Sequence, residues 1–180
     1  MSDVIPHEPP VAGSELDTMV GSLERQRRLL EWKCGGLDAA GMSATTAKST
    51  MTLGGLLKHL ALVEDDMLSQ KLAGLPAAAP WSTVDWDADP NWEWRTAADD
   101  TPEQLLALWQ DAVARSRANL RQALTEGGLD QPSAYTNSRG ETPSIRRLLI
   151  DMIEEYARHL GHADLIRESV DGLVGEDQPG

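Results

Sequence analysis

Apolar residues recur every three or four positions in four long stretches of this chain, whereas no segment shows a sustained alternation typical of β-strands. This spacing places the apolar side chains on one face of an α-helix. The pattern predicts helices over residues 14–33, 52–72, 101–126 and 142–171. Four amphipathic helices joined by three connections favour an all-α fold, a four-helix bundle.

Helix-capping residues support these boundaries. Ser14 is a favourable N-cap for the first helix, and the glycines at residues 35–36 end that helix. The Thr-Pro-Glu-Gln segment at residues 101–104 combines an N-cap threonine, a proline in the first turn and a capping-box glutamine. The Thr-Pro pair at residues 142–143 is expected to open the fourth helix in the same way.

The helical pattern predicts one domain over residues 14–175. Residues 1–13 are rich in proline without apolar periodicity and are predicted to form a disordered tail, and residues 176–180 form a second tail. A long connection at about residues 75–100 holds four of the six tryptophans. Because tryptophan is large and apolar, this clustering indicates a connection held against the domain by its indole rings.

Charge and composition exclude several classes of function. The net charge is −13, which disfavours binding to nucleic acids or to anionic membrane surfaces. No apolar run reaches the ~20 residues of a membrane span, and no signal-peptide pattern is present. The single cysteine, Cys34, forms no internal disulfide and suits a reducing compartment. We therefore expect a cytoplasmic protein.

Three of the four histidines lie on the inward faces of two predicted helices. His59 belongs to the second helix. His159 and His162 lie one turn apart on the fourth helix, and Glu155 precedes them by one turn. At ~100° per residue in a helix, Glu155, His159 and His162 fall within about 60° of one another on one face. The fourth histidine, His7, belongs to the predicted tail and is expected to be solvated.

Imidazole nitrogens and a carboxylate oxygen are the ligands that a divalent ion such as zinc or nickel prefers. Buried imidazoles need polar partners, and a shared metal ion would satisfy them together. We predict a metal site formed by His59, His159 and His162, with Glu155 as a fourth ligand or as a substitute for one histidine. The alternatives are ordinary core histidines bonded to neighbours and a glutamate paired with an arginine.

Other residues give weaker signals. Asp164 and Glu64 could orient an imidazole through its second nitrogen, although surface charge is the more common role for such residues. Cys34 has no histidine near it in sequence, so a nucleophilic role has little support. No phosphate-binding or dinucleotide-binding glycine pattern is present.

Two segments carry a resemblance to a known family. They are Leu-Lys-His-Leu-Ala-Leu-Val-Glu at residues 57–64 and Glu-Glu-Tyr-Ala-Arg-His-Leu-Gly-His-Ala-Asp-Leu-Ile-Arg-Glu at residues 154–168. They resemble the DinB-like superfamily, more closely an actinobacterial branch related to mycothiol-dependent maleylpyruvate isomerase and thiol S-transferases. The resemblance spans about residues 15–175. It implies a four-helix bundle with a three-ligand zinc or nickel site, one histidine coming from the second helix and two ligands from the last.

The resemblance also implies a chemistry. Related enzymes transfer, conjugate or isomerise with a low-molecular-weight thiol such as mycothiol, so the expected partners are a small-molecule thiol and an electrophilic substrate. Last-helix ligands in that family are four residues apart, as Glu155 and His159 are, whereas His159 and His162 are three apart. Which pair binds the metal stays open. A non-catalytic metal-binding or sensor protein and a metal-free ligand-binding bundle are the alternative functions, and a homodimer is compatible with each.

Overall fold

The computed structural model describes residues 8–175. Within this range the chain is helical and forms no β-strand, and an isolated bridge joins Pro132 to Ser144. The predicted all-α bundle class is thereby confirmed. The α-helices of the described residues are α1 (Glu15–Cys34), α2 (Ala39–Met42), α3 (Leu53–Glu64), α4 (Trp92–Thr96), α5 (Pro102–Glu126) and α6 (Ile145–Asp171). None of them is long and apolar enough to cross a membrane.

Two of the predicted helix starts are confirmed. At α1, the Ser14 hydroxyl oxygen accepts a hydrogen bond from the Asp17 amide at 3.1 Å. At α5, the Thr101 hydroxyl accepts from the Gln104 amide at 3.3 Å, and the Gln104 side chain accepts from the Thr101 amide at 2.8 Å. Both caps satisfy amide groups that a helix start leaves without partners.

The predicted start of the last helix is wrong by about three residues, because α6 begins at Ile145. The hydroxyl of Ser144, not that of Thr142, accepts a bond from the Arg147 amide, at 3.3 Å. The backbone oxygen of Pro143 accepts instead from the Ser133 amide at 2.9 Å. Because the Pro143 oxygen is bonded to Ser133 and not within a helix, Thr142 lies before α6 and Ser144 caps it.

The predicted second helix is confirmed in extent but not in geometry. After α3 the chain continues as a π-helix over Asp65–Lys71, with the Leu72 amide bonded to the Met67 oxygen five residues back. Asp65 opens this wider segment, and its carboxylate accepts from the Trp81 indole N–H at 2.9 Å and from Arg115 at 2.7 Å. Wider helical turns of this kind are common at functional sites.

The chain forms two compact units. Of the described residues, one unit contains 8–53 and 149–175, and its core includes Leu23, Leu30, Met152, Tyr156 and Ile166. In this unit the Arg167 guanidinium donates to the backbone oxygens of Lys33 at 3.0 Å and Gly35 at 2.7 Å. A side-chain cation therefore caps the C-terminus of α1.

Before α1, Glu8 forms ion pairs with Arg25 and Arg28 of that helix. The chain around Pro9 passes close to α1 at Gly21. A Cβ at Gly21 would lie 2.7 Å from the Cα of Pro9, so this position requires glycine. Residues 1–7 of the predicted N-terminal tail, including His7, and the predicted tail at residues 176–180 lie outside the described residues.

The second unit contains residues 54–148, and α5 packs in it against the π-helix. The tryptophan-rich connection is held by its indole rings, as predicted: Trp81 is only 2% exposed and bonded to Asp65. Trp92 meets Trp81 and Trp86 edge-to-face, with ring centroids 6.0 and 6.4 Å apart. The connection thereby folds into α4 and short 3-10 turns instead of a flexible loop.

Candidate metal centre

His59 lies on α3 in the second unit, with its side chain 18% exposed. Its Nδ1 is 3.2 Å from the Oε1 atom of Glu93. Its ring stacks on the indole of Trp94, with centroids 4.5 Å apart and planes inclined by 24°. Both partners come from α4, and we call His59, Glu93 and Trp94 the His59 cluster.

Glu93 is a buried acid, 5% exposed. Its second oxygen, Oε2, is buried without a hydrogen-bond partner among the described residues. The sequence interpretation missed both Glu93 and Trp94 and named Glu64 as a partner for an imidazole. The available signal was the Trp-Glu-Trp segment at residues 92–94, where an acid stands between two anchoring indoles.

Glu155, His159 and His162 lie on consecutive turns of α6 in the first unit, and we call them the α6 cluster. The Nε2 atom of His159 is 3.1 Å from Oε1 of Glu155. The Nδ1 atom of His159 is 3.4 Å from Nδ1 of His162, and the rings are tilted by 56°. His159 is the most buried of the three, at 5% exposure. Both of its nitrogens therefore face a polar group.

The α6 cluster allows two arrangements of protons. If His159 donates from Nε2, it forms an ordinary hydrogen bond to Glu155. If His159 instead donates from Nδ1 to His162, its Nε2 atom carries a lone pair that faces an oxygen of Glu155. The lone pair and the carboxylate oxygen repel each other, and a cation bound between Nε2 and that oxygen removes the repulsion. The second arrangement is the one that a metal ligand requires.

Asp164 does not orient an imidazole through any bond seen in the structure. Its carboxylate is half-exposed and lies 2.9 Å from Nζ of Lys33, which is buried. Asp164 lies on the last helix, as the sequence predicts, but its carboxylate contacts Lys33 of α1.

His59, Glu155 and His159 are the described residues whose donor atoms could together hold a metal ion. They offer two imidazole nitrogens and one carboxylate oxygen, a set that suits zinc and other borderline divalent ions. His162, one of the three histidines predicted as ligands, is outside this group, and its Nδ1 faces His159 instead; Glu155, predicted as a fourth ligand or a substitute, is within it.

Cys34 is chemically inert in this fold. Burial raises the pKa of its thiol to about 12, and the nearby positive charge of Arg167 opposes that shift only in part. Since the thiolate is the nucleophilic form of cysteine, Cys34 stays unreactive near neutral pH.

A cleft of about 490 Å³ in the second unit lies beside Lys58 and Trp92. The Lys58 ammonium lies 2.5 Å from an Asp100 oxygen and 4.5 Å from the centre of the Trp92 ring. Trp92 is in α4, between the tryptophans that anchor the connection and the residues of the His59 cluster. The connection therefore forms the wall of a cleft as well as the support of His59.

The model of the mycothiol S-transferase family matches residues 18–172, which include most of α1, all of α5 and all of α6. No curated protein and no solved structure matches the chain. The match covers both segments that carried the resemblance to DinB-like proteins, and that resemblance is confirmed. This chain belongs to the mycothiol S-transferase family.

Proposed function

We propose that this protein is a divalent-metal-dependent enzyme that transfers a low-molecular-weight thiol of the mycothiol type to an electrophile, or isomerises a substrate through such an adduct. The observation that carries the proposal is the family match over residues 18–172. Within that match, His59, Glu155 and His159 provide a donor set suitable for a metal ion.

These three residues would hold the ion, with zinc or nickel as the expected metals. Three protein ligands leave a coordination position for another molecule, as catalytic zinc sites do. A bound divalent ion favours the thiolate form of a thiol, which is the nucleophile. His162 would orient His159 through Nδ1, although a direct ligand role for His162 is the alternative that its position one turn away allows.

The state of Cys34 supports a small-molecule thiol. The chain has one cysteine, and burial raises its pKa to about 12. A reaction that needs a thiolate near neutral pH must therefore take it from a cosubstrate. We infer that the thiol and the electrophile are the partners of this protein and that it works in the cytoplasm, where such thiols stay reduced.

The residues of the chain have separate tasks in this proposal. Glu93 and Trp94 hold the His59 ring, while His162 holds the His159 ring. Fixed imidazoles need less ordering when a ligand binds, which is the main contribution that a protein makes to such a site. The cleft beside Lys58 and Trp92 gives an apolar wall and polar groups to an electrophile.

The test is elemental analysis of untagged protein, followed by a conjugation assay with mycothiol, glutathione or bacillithiol and a fluorogenic electrophile. We expect stoichiometric metal and conjugation with mycothiol. The matched control is Arg158→Gln, an exposed residue next to His159 on α6, which should leave both unchanged.

Absence of metal, together with no rise in Tm on adding zinc or nickel, would contradict the proposal. Bound metal without conjugation to any thiol would instead identify a non-catalytic metal-binding protein.

A further inference from the structure

Glu93 combines two features that a purely structural acid rarely has. It is buried, at 5% exposure, and its Oε1 faces Nδ1 of His59 at 3.2 Å. Its Oε2 has no hydrogen-bond partner among the described residues. A buried carboxylate oxygen without a partner costs free energy, so Glu93 is poorly explained as a stabilising residue.

The bond between Glu93 and His59 has a direction. An ionised carboxylate can only accept hydrogen bonds, so the imidazole must donate from Nδ1. A neutral imidazole carries one proton, and a proton on Nδ1 leaves the lone pair on Nε2. The stack on Trp94 limits rotation of the ring about its Cβ–Cγ bond, which would turn Nδ1 away from Glu93.

We propose that Glu93 is the positioning residue of the metal centre: it fixes His59 as the tautomer with the proton on Nδ1 and thereby presents Nε2 as the ligand atom. This inference rests on the proposed function only where metal affinity is concerned. The tautomer of His59 is a property of the metal-free protein and can be measured without any ion.

The first measurement is the ¹⁵N NMR spectrum of the histidine rings in metal-free protein near pH 8. The chain has four histidines, and the resonances of His59 are identified by their loss in His59→Gln. We expect a protonated Nδ1 and an unprotonated Nε2 in the wild type. Glu93→Gln, whose amide oxygen can still accept from Nδ1, should retain this tautomer, whereas Glu93→Leu should lose it.

The second measurement is the affinity for Co(II) or Zn(II), by competition with a chromophoric chelator, together with the Co(II) absorption spectrum. Loss of an orienting partner lowers metal affinity by about 10- to 100-fold, so we expect this effect in Glu93→Leu and a smaller one in Glu93→Gln. The Tm of Glu93→Leu should be unchanged or higher, because a buried oxygen without a hydrogen-bond partner among the described residues is removed. Asp87→Asn, an exposed acid of the same connection, is the control and should change none of these quantities.

A wild-type His59 with its proton on Nε2 would overturn the inference, whatever the effect of substituting Glu93. Unchanged metal affinity and unchanged tautomer in Glu93→Leu would also overturn it. If the wild type binds no metal, the proposed function fails, while the tautomer still decides the role of Glu93.

Discussion

The two histidine clusters of this protein are built in opposite ways. In the α6 cluster, His159 meets Glu155 and His162, which are four and three positions away on its own helix. In the His59 cluster, the partner of His59 is Glu93, which is 34 positions away and lies within the tryptophan-rich connection. The first cluster needs only a helix, whereas the second needs a folded connection.

This difference has a consequence for stability and for binding. Local pairs on a helix form as soon as the helix does, because residues three and four apart are neighbours on its surface. A pair at long sequence separation exists only when packing holds both segments in place. The His59 cluster should therefore respond to changes in the connection that leave the α6 cluster unaffected.

The largest expected effect comes from removing a proposed ligand in either cluster. His59→Gln and His159→Gln should each abolish stoichiometric metal binding, because both imidazoles belong to the candidate ligand group. Elemental analysis measures the metal content, and far-UV circular dichroism checks that the helices persist. Full metal content in either variant would show that the substituted histidine is not a required ligand.

The next effect concerns the connection. Trp81→Ala should lower the free energy of unfolding by about 3–5 kcal/mol, because a buried indole is lost. It also leaves Asp65 without the indole N–H that bonds it. Urea denaturation gives the change in stability, and Tm should fall by roughly 10 °C.

A matched variant separates general instability from the specific effect of this substitution. Leu30→Ala removes a fully buried side chain of the first unit and should cost about 2–5 kcal/mol. Under conditions where both variants are folded, we expect weaker metal binding in Trp81→Ala only. Equal loss of affinity in the two variants would contradict a special dependence of His59 on the connection.

A smaller effect is expected at His162. If His162 only orients His159, His162→Gln should keep the metal and lower its affinity by roughly tenfold. Chelator competition distinguishes this result from the complete loss expected for His159→Gln. Complete loss at His162 as well would favour the His159 and His162 pair as the ligands from the last helix.

The smallest effect concerns Cys34, whose chemistry is also decided by distant packing. The unfolded chain releases the thiol proton near the ordinary pKa of 9.0, whereas the folded chain keeps it until about 12. The folded state therefore binds more protons in this window, and stability falls as the pH rises above about 9.

Urea midpoints at pH 8, 9 and 10 measure this dependence, and Cys34→Ala should show a flatter one. In the folded wild type, a thiol reagent at pH 8 should react with Cys34 only as fast as the chain unfolds. Rapid labelling would show that the thiol is exposed.

Much of the fold could be predicted because helices are signalled locally. The N-cap at Ser14 and the capping box at Thr101 and Gln104 depend on neighbouring residues, and both predictions are confirmed. Thr142 failed as a cap because the Pro143 oxygen bonds to Ser133, which a local pattern does not reveal. The π-helix at Asp65–Lys71 was not predicted either, since the indole and guanidinium that bind Asp65 come from other elements.

The residues of the candidate site also differ in whether local spacing or distant packing places them. Glu155, His159 and His162 could be placed on one helical face from their spacing alone, and His59 from the apolar stripe around it. Glu93 and Trp94 could not be assigned to His59, because the course of a connection is set by packing that no periodicity records. Asp164 was a candidate to orient an imidazole, with surface charge as the more common role, and its ion pair is with Lys33 of α1.

By itself the sequence determined that this protein is helical, where most of its helices begin and end, and which residues offer metal ligands. These are consequences of backbone hydrogen bonding and of a 3.6-residue period, which act over a few residues. Only the tertiary structure decided that Glu93 meets His59 and that Cys34 is buried. Those facts depend on segments that are far apart in the sequence. The burial of apolar surface brings them together, and because this effect is non-directional, no local sequence pattern records which segments meet.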